Sequence, residues 1–578
     1  MNTMRDYISR PRILFLLLLL VSLIPSSALF AQNGAIAQRL SPDTVFCMQW
    51  HGRAFLADAD KRNHVLQLIE DPAFAPVWLT LANRVQQETH RPGVTGPGLG
   101  LPDMISFLDN PLAFGVAAIP NAPQSSLPSS EPPHFGVFVV YDATGKASLI
   151  QKWKDLGRAG GKQPAEITKY DFGGTSVEVR TAGKNVSYSA QVANYYLGSD
   201  QKQMIEDLVT RFGATGRPTT SLAQLPEYQE IRKYIGSDAA FEWFARMPDL
   251  HALGPRGLNG ETSAKLAKSM QLEKIHVAGG GLSFAGAATH LRGTVLGDTS
   301  AGGIFDLAGA SAAAFQMQPL VNGSSSFSIS RLNPLAAYQW ARGAAMGALP
   351  PQQSASILML EGAAQKFLGM PIVDALGLPQ GEVASVSSYS AEGSVEQLYA
   401  VGIEKPDAVL RVLRAIIGSM ITAEDPSGTT AYLDIAYPYK DPKTGTQRKK
   451  LYYLAVTPQM ILAAPRKAML RDTVARLGSG PGLAPAAGIF ANPEYLQMRS
   501  LLPRELSGLS GTDITQIPWD KLLTKLQAQL EQTAKDKNGP QPPDLNWLKP
   551  EAVSRHLHVA LSGWWVDSSG VYFDSYIQ

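Results

Sequence analysis

One cysteine among 578 residues rules out an internal disulfide. Cys47 stands between Val45-Phe46 and Met48, a setting that predicts a buried thiol packing as a small hydrophobe rather than a reactive nucleophile. An excess of charge of one sign is missing as well. The chain holds 51 basic and 49 acidic side chains, and the signs balance at 48 each once residues 1–37 are set aside. Nucleic-acid binding draws its affinity from a basic excess, so the total gives no support to a nucleic-acid partner. After the N-terminal segment no apolar run reaches the roughly eighteen residues of a transmembrane helix, and none is expected there.

Several catalytic signatures are absent too. There is no His-Glu-x-x-His helix, no Gly-x-Ser-x-Gly elbow, no phosphate loop ending in Gly-Lys-Ser/Thr, and no dinucleotide Gly-x-Gly-x-x-Gly after a strand. Ser199 and Lys202 form a Ser-x-x-Lys, and Lys443-Thr444-Gly445 a Lys-Thr-Gly, the two outer elements of a penicillin-binding site. The intervening Ser-x-Asn is missing, however, and Ala464 replaces Ser199 in a second, similar segment described below. Ser199 is therefore read as a helix cap. His556 and His558 would share one face of a strand, but no further ligand completes a metal set. The reading assigns no catalytic residue, no metal and no cofactor.

What is present begins with a targeting segment. Arg5, Arg10 and Arg12 precede the apolar run Ile13 to Ile24, which is short for a membrane span and suited to a signal peptide. Ala35-Ile36-Ala37 offers an A-x-A site with cleavage before Gln38, and Ala31 is a second choice.

Next comes a repeat. Tyr188–Gly213 and Tyr453–Gly478 align without a gap, with nine of 26 positions identical, among them Leu197/Leu462, Met204/Met469, Asp207/Asp472 and Gly213/Gly478. Pro226-Glu227-Tyr228 recurs as Pro493-Glu494-Tyr495, and His276-Val277-Ala278 as His558-Val559-Ala560. Each long segment reads as strand, turn, strand, amphipathic helix. In the first, Met204, Ile205, Leu208, Val209 and Phe212 form the apolar stripe and Gly213 a left-handed close; in the second the stripe is Met469, Leu470, Val474 and Leu477. The expected architecture is α+β: two tandem copies, 38–300 and 301–578, of a mostly antiparallel sheet with helices packed on one face, joined near 297–322.

The signal segment, the Pro42-Asp43-Thr44 opening, hairpin-then-helix units such as YYLAVTPQMILAAPRKAML (Tyr452 to Leu470) and the tandem copy together resemble uncharacterised exported bacterial proteins of domain-of-unknown-function families. The resemblance implies export and an α+β duplication, and it transfers no catalytic residue. The leading expectation is a non-enzymatic binding or scaffolding module in the periplasm or secreted, with a protein, small-molecule or glycan ligand in the envelope and a groove between the copies. An envelope hydrolase is one alternative. A carbohydrate binder is another, using the aromatics Trp564, Trp565, Tyr572 and Tyr576 of the C-terminal hairpin.

Overall fold

Strand signals along the chain become twenty strands among the described residues. The computed structural model describes residues 36–56, 62–74, 101–119, 135–159, 166–183, 185–214, 218–248, 265, 268–269, 271–284, 286–299 and, from 303 onward, all but 308–310, 312–313, 322, 390–393, 441–444, 479–487 and 537–548. In the first half the strands are β1 (Thr44–Trp50), β2 (Leu112–Ala118), β3 (Phe135–Asp142), β4 (Glu166–Phe172), β5 (Thr175–Ala182), β6 (Asn185–Val192), β7 (Tyr195–Ser199), β8 (Ala239–Arg246), β9 (Ile275–Ser283) and β10 (Thr289–Gly297). The second half has β11 (Ser326–Arg331), β12 (Pro379–Tyr389), β13 (Val395–Ile403), β14 (Ile421–Ser427), β15 (Thr430–Lys440), β16 (Gln447–Val456), β17 (Met460–Ala464), β18 (Gly508–Asp513), β19 (Val559–Val566) and β20 (Gly570–Ile577).

Every pairing is antiparallel. Hydrogen-bonded neighbours in the first half run β4-β5-β6-β7-β3-β2-β1-β8-β9-β10. From its own outer edge inward, the second half runs β14-β15-β16-β17-β13-β12-β11-β18-β19-β20. Strand for strand, the two orders correspond. β10 and β20 then pair from Thr289↔Ile577 to Leu296↔Gly570, so the halves merge into one open sheet of mixed α and antiparallel β character.

Helices do not stay on one face, which corrects that expectation. Alternate residues of a strand point to opposite faces. Val140 and Leu197 belong to one core together with the helix Lys202–Gly213, whereas Tyr141 and Tyr196, one residue along, pack with Ile150 and Trp153 of the helix Ala147–Ala159. In the second half Ala455 and Leu462 face the helix Lys467–Gly478, while Val456 and Ile461 face the helix Pro406–Ile417. Strands covered on both faces carry continuous apolar runs, as Phe138 to Tyr141 does.

The stripe Met204, Ile205, Leu208, Val209 and Phe212 is buried as the sequence indicates. Ser199, by contrast, does not cap that helix. Gln201 is the N-cap residue and makes no side-chain bond, while Ser199 Oγ donates to Val137 O at 2.8 Å and accepts from the Gln201 N–H at 3.1 Å. Gly213 stays within the helix rather than closing it left-handed; Arg39 Nη1 instead donates to the free carbonyls of Arg211 and Phe212 at 3.0 and 3.2 Å. Ile36, Ala37 and Leu40, next to that arginine, are part of the first-half core.

Candidate functional site

Three regions hold the side chains that could act: the joint between the halves, the buried titratable groups, and the outer surface of the second half.

At the joint lie three of the four aromatics singled out in sequence, Trp565, Tyr572 and Tyr576. Trp565 and Tyr572 face each other across β19 and β20, stacked at 5.5 Å. Tyr234, from the first-half helix Pro226–Ile235, meets Tyr572 edge-on at 5.0 Å and Trp565 at 6.3 Å. The Tyr234 hydroxyl donates to Asp574 Oδ1 at 2.8 Å. Tyr576 is buried and stacks on His290 of β10 at 4.0 Å. Trp564 lies over Gly508, where an added Cβ would stand 1.9 Å from the indole nitrogen. The structure thus brings Trp565, Tyr572 and Tyr576 together around β10–β20, and uses each ring to hold one half on the other. Trp564 serves within the second half.

A polar cluster also crosses between the halves. Asp71 follows the helix His64–Glu70, and its Oδ2 receives Arg555 Nη1 and pairs with His556 Nε2, both at 2.9 Å. The Ala73 N–H first, and the His556 contact next, hold its carboxyl below the ordinary carboxylate range. His558 Nδ1 lies 2.8 Å from Glu494 Oε1, and its ring sits edge-on to His64 at 5.5 Å. Burial, followed by the nearness of His558, lowers the His64 pKa. The sequence reading set His556 and His558 on one strand face. Instead His556 ends the helix Pro550–His556 and His558 precedes β19. Among the described residues no three of His, Cys, Asp and Glu are arranged to hold a metal ion.

Among the described residues each half buries one glutamate, and each is held by several partners. Glu242 accepts from Tyr228 Oη at 2.5 Å, pairs with Arg232, and lies 3.5 Å from His51 Nε2. Burial pushes its pKa upward, but hydrogen bonding and charge from His51, then Arg232 and Tyr228, hold it at about 2. Glu382 takes the backbone N–H groups of Gln316 and Met317 at 2.9 and 2.8 Å and Arg331 Nη2 at 3.0 Å. Cys47 is buried; burial and, after it, Glu242 push its thiol pKa far up, away from nucleophilic reactivity. The serine constellation does not assemble from what is described: Ser199 is engaged as above, and Lys202 sits over the Tyr170 ring at 5.0 Å, 3.8 Å from Glu206. Lys443 and Thr444 lie outside the described residues.

The outer surface of the second half shows what sequence reasoning missed. Between β11 and β12 the helices Pro334–Ala348 and Pro351–Leu368 form a hairpin followed by a short helix, Ile372–Leu376. Met359 and Leu360 are 76% and 70% exposed, and Leu358, Phe367 and Val373 are exposed beside them. A cleft of about 380 Å³ lies between these helices, lined in part by Tyr338, Arg342, Gln365 and Ile372. Inside it Arg342 Nε donates to Glu361 Oε1 at 2.5 Å, and Tyr338 donates to the same oxygen. Arg342 first, then Tyr338, hold the Glu361 carboxyl below its usual range. A signal was there: residues 332–376 carry only Arg342, Glu361, Lys366 and Asp374 as charged side chains.

No family model, curated protein or solved structure matches this chain.

Proposed function

We propose that this chain is a non-enzymatic binding or scaffolding protein of a bacterial envelope, built from two tandem copies of one α+β unit and exported by its N-terminal segment. The matched strand orders support duplication, and the sequence repeats fall on equivalent elements of the two halves: β6–β7 with its helix and β16–β17 with its helix, the two helices that open Pro-Glu-Tyr, and the closing hairpins β9–β10 and β19–β20.

A single observation carries the binding reading. The buried acids Glu242 and Glu382 are held by arginines and hydrogen-bond donors, whereas large apolar side chains crowd an outer helical hairpin that the sheet does not cover. Exposed apolar patches of this kind mark interaction surfaces, since water penalises leaving them bare. An enzyme would call for the opposite arrangement, a cleft with converging, unspent titratable groups. In the cleft between these helices, Arg342 and Glu361 neutralise each other. Any ligand contact here is therefore apolar first, with the Tyr338–Glu361–Arg342 set giving orientation.

The test is site-specific photo-crosslinking of the exported chain in its envelope. A probe at Leu360 is expected to give discrete adducts, and a probe at Ile167 on the far edge strand none. Equal labelling at both positions would contradict the proposal, as would turnover of ester, amide or glycoside substrates by the purified chain.

A further inference from the structure

A second outward surface arises where β15 and β16 run on past the sheet. β14 pairs with β15 only as far as Ile421↔Ile435, and β17 pairs with β16 only over Tyr453–Val456. Beyond these points the two strands have only each other, from Ala436↔Leu451 through Tyr437↔Lys450 and Tyr439↔Arg448 to Lys440↔Gln447. Burial stops at the same place: Ala436 is buried, and Tyr437 to Lys440 and Gln447 to Tyr452 are all exposed. In the first half the equivalent hairpin is not left as two strands, because β4 pairs with β5 as far as Thr181.

The composition of this ribbon is one-sided. Over residues 436–440 and 447–452 it carries Lys440, Arg448, Lys449 and Lys450 and no acidic side chain, with Tyr437, Tyr439, Tyr452, Leu451 and Pro438 interleaved. Directly opposed residues of an antiparallel pair share a face. Tyr437, Tyr439 and Tyr452 therefore lie on one face with Lys450 and Arg448, and Lys450 Nζ stands 5.0 Å over the Tyr452 ring. The opposite face presents Lys440, Lys449, Leu451 and Pro438.

We propose that this ribbon docks the protein on an anionic lipid bilayer, with the tyrosine rings in the interfacial layer and the lysines on headgroup phosphates. Charge complementarity sets the sign of the partner: four cations with no acid on the ribbon draw it to an anionic surface. The apolar part selects among anionic partners. A soluble polyanion neutralises lysines but leaves tyrosine, leucine and proline surface in water. The bilayer interface takes up both, since amphipathic rings settle at headgroup level and lysine stems lie along apolar surface. A protruding two-stranded ribbon, free on both faces, can reach that layer without opening the core. This surface is separate from the helical hairpin, and its test does not depend on that hairpin's ligand.

The experiment is flotation of the full chain with phosphatidylcholine vesicles, with and without phosphatidylglycerol, compared across ribbon variants. Comparing variants isolates the ribbon, because the apolar segment Ile13 to Ile24 is the same in all of them. Lys449→Gln/Lys450→Gln is expected to lower partition onto the phosphatidylglycerol vesicles about 25-fold, roughly fivefold for each lysine, and to leave the phosphatidylcholine baseline unchanged. Tyr437→Ser/Tyr439→Ser should lower the same partition about tenfold. Lys169→Gln, on the far edge strand, should have no effect, and unchanged melting temperatures would show all variants folded. Partition insensitive to the two lysines would overturn the proposal. So would loss with the lysine pair but not the tyrosine pair, accompanied by full competition from dextran sulfate, which would assign the ribbon to a soluble polyanion.

Discussion

At the scale of single residues, the informative groups are the buried acids. Glu242 is inaccessible to water, so its charge is tolerable only because His51, Arg232 and Tyr228 surround it. A carboxyl with an ordinary value of 4.5, held at about 2 when folded, contributes stability that is complete above pH 4.5 and lost as pH falls through 2. Glu242→Gln should therefore destabilise the protein by about 3 kcal/mol at pH 7, measured by denaturant unfolding. The gap from the parent chain should close as pH falls from 4.5 towards 2, and a gap that persists unchanged at the acid end would contradict the pairing. None of this was legible in the sequence. Glu242 stands in an apolar strand, Ala239–Arg246, and its partners are His51, one residue past β1, and Tyr228 and Arg232 of the helix Pro226–Ile235. Only the fold brings them together.

At the scale of elements, local pattern was read well and its surroundings less so. The stripes of the helices Lys202–Gly213 and Lys467–Gly478 follow 3.6-residue periodicity, which needs no knowledge of partners, and the same residues pack into the two cores. Helix ends were harder. Arg39 closes the helix Lys202–Gly213 from 172 residues away, where a local reading looked to Gly213. The faces were harder still, because a doubly covered strand and a singly covered one differ only in the residues between the apolar ones. The segment beside Arg39 bears on export. Cleavage before Gln38 would remove Ile36 and Ala37, each 1% exposed, and with Ala37 the carbonyl that accepts from the Ala223 N–H at 3.2 Å. If the chain is exported and processed, the mature protein should thus begin upstream of Ile36, at the Ala31 site. Mass spectrometry of the protein recovered from the periplasm should show Gln32 at the N-terminus, and a chain beginning at Gln38 would count against the structural role given to Ile36.

At the scale of the whole molecule, the question is how the twenty antiparallel strands of the described residues avoid pairing with other chains. The outer edges answer it by composition. β4 carries Glu166, Lys169 and Asp171, and β14 carries Glu424, Asp425 and Pro426, features that blunt strand addition. The inner edges, β10 and β20, meet each other, and the contact is reinforced on one face by Tyr234 with Asp574 and by His290 on Tyr576. A unit that ends in an open hairpin edge covers that edge by pairing with its own second copy, which makes the proposed duplication a structural solution as well as a history. The repeat itself was visible in sequence because packing residues recur; the edge-to-edge joint was not, since β10 and β20 share little beyond their strand character. The joint also relocates the ligand question. A groove between the copies is the expectation from sequence; the outward-facing helical hairpin and the basic ribbon both belong to the second half.

Hydrogen exchange resolved to individual strands tests the continuous sheet most directly. If β10 and β20 are central strands, their amides should be protected to the same free energy as those of β1, near that of global unfolding, while the edges β4 and β14 exchange much faster. Exchange of β10 and β20 at edge-strand rates would mean that the halves do not share a sheet.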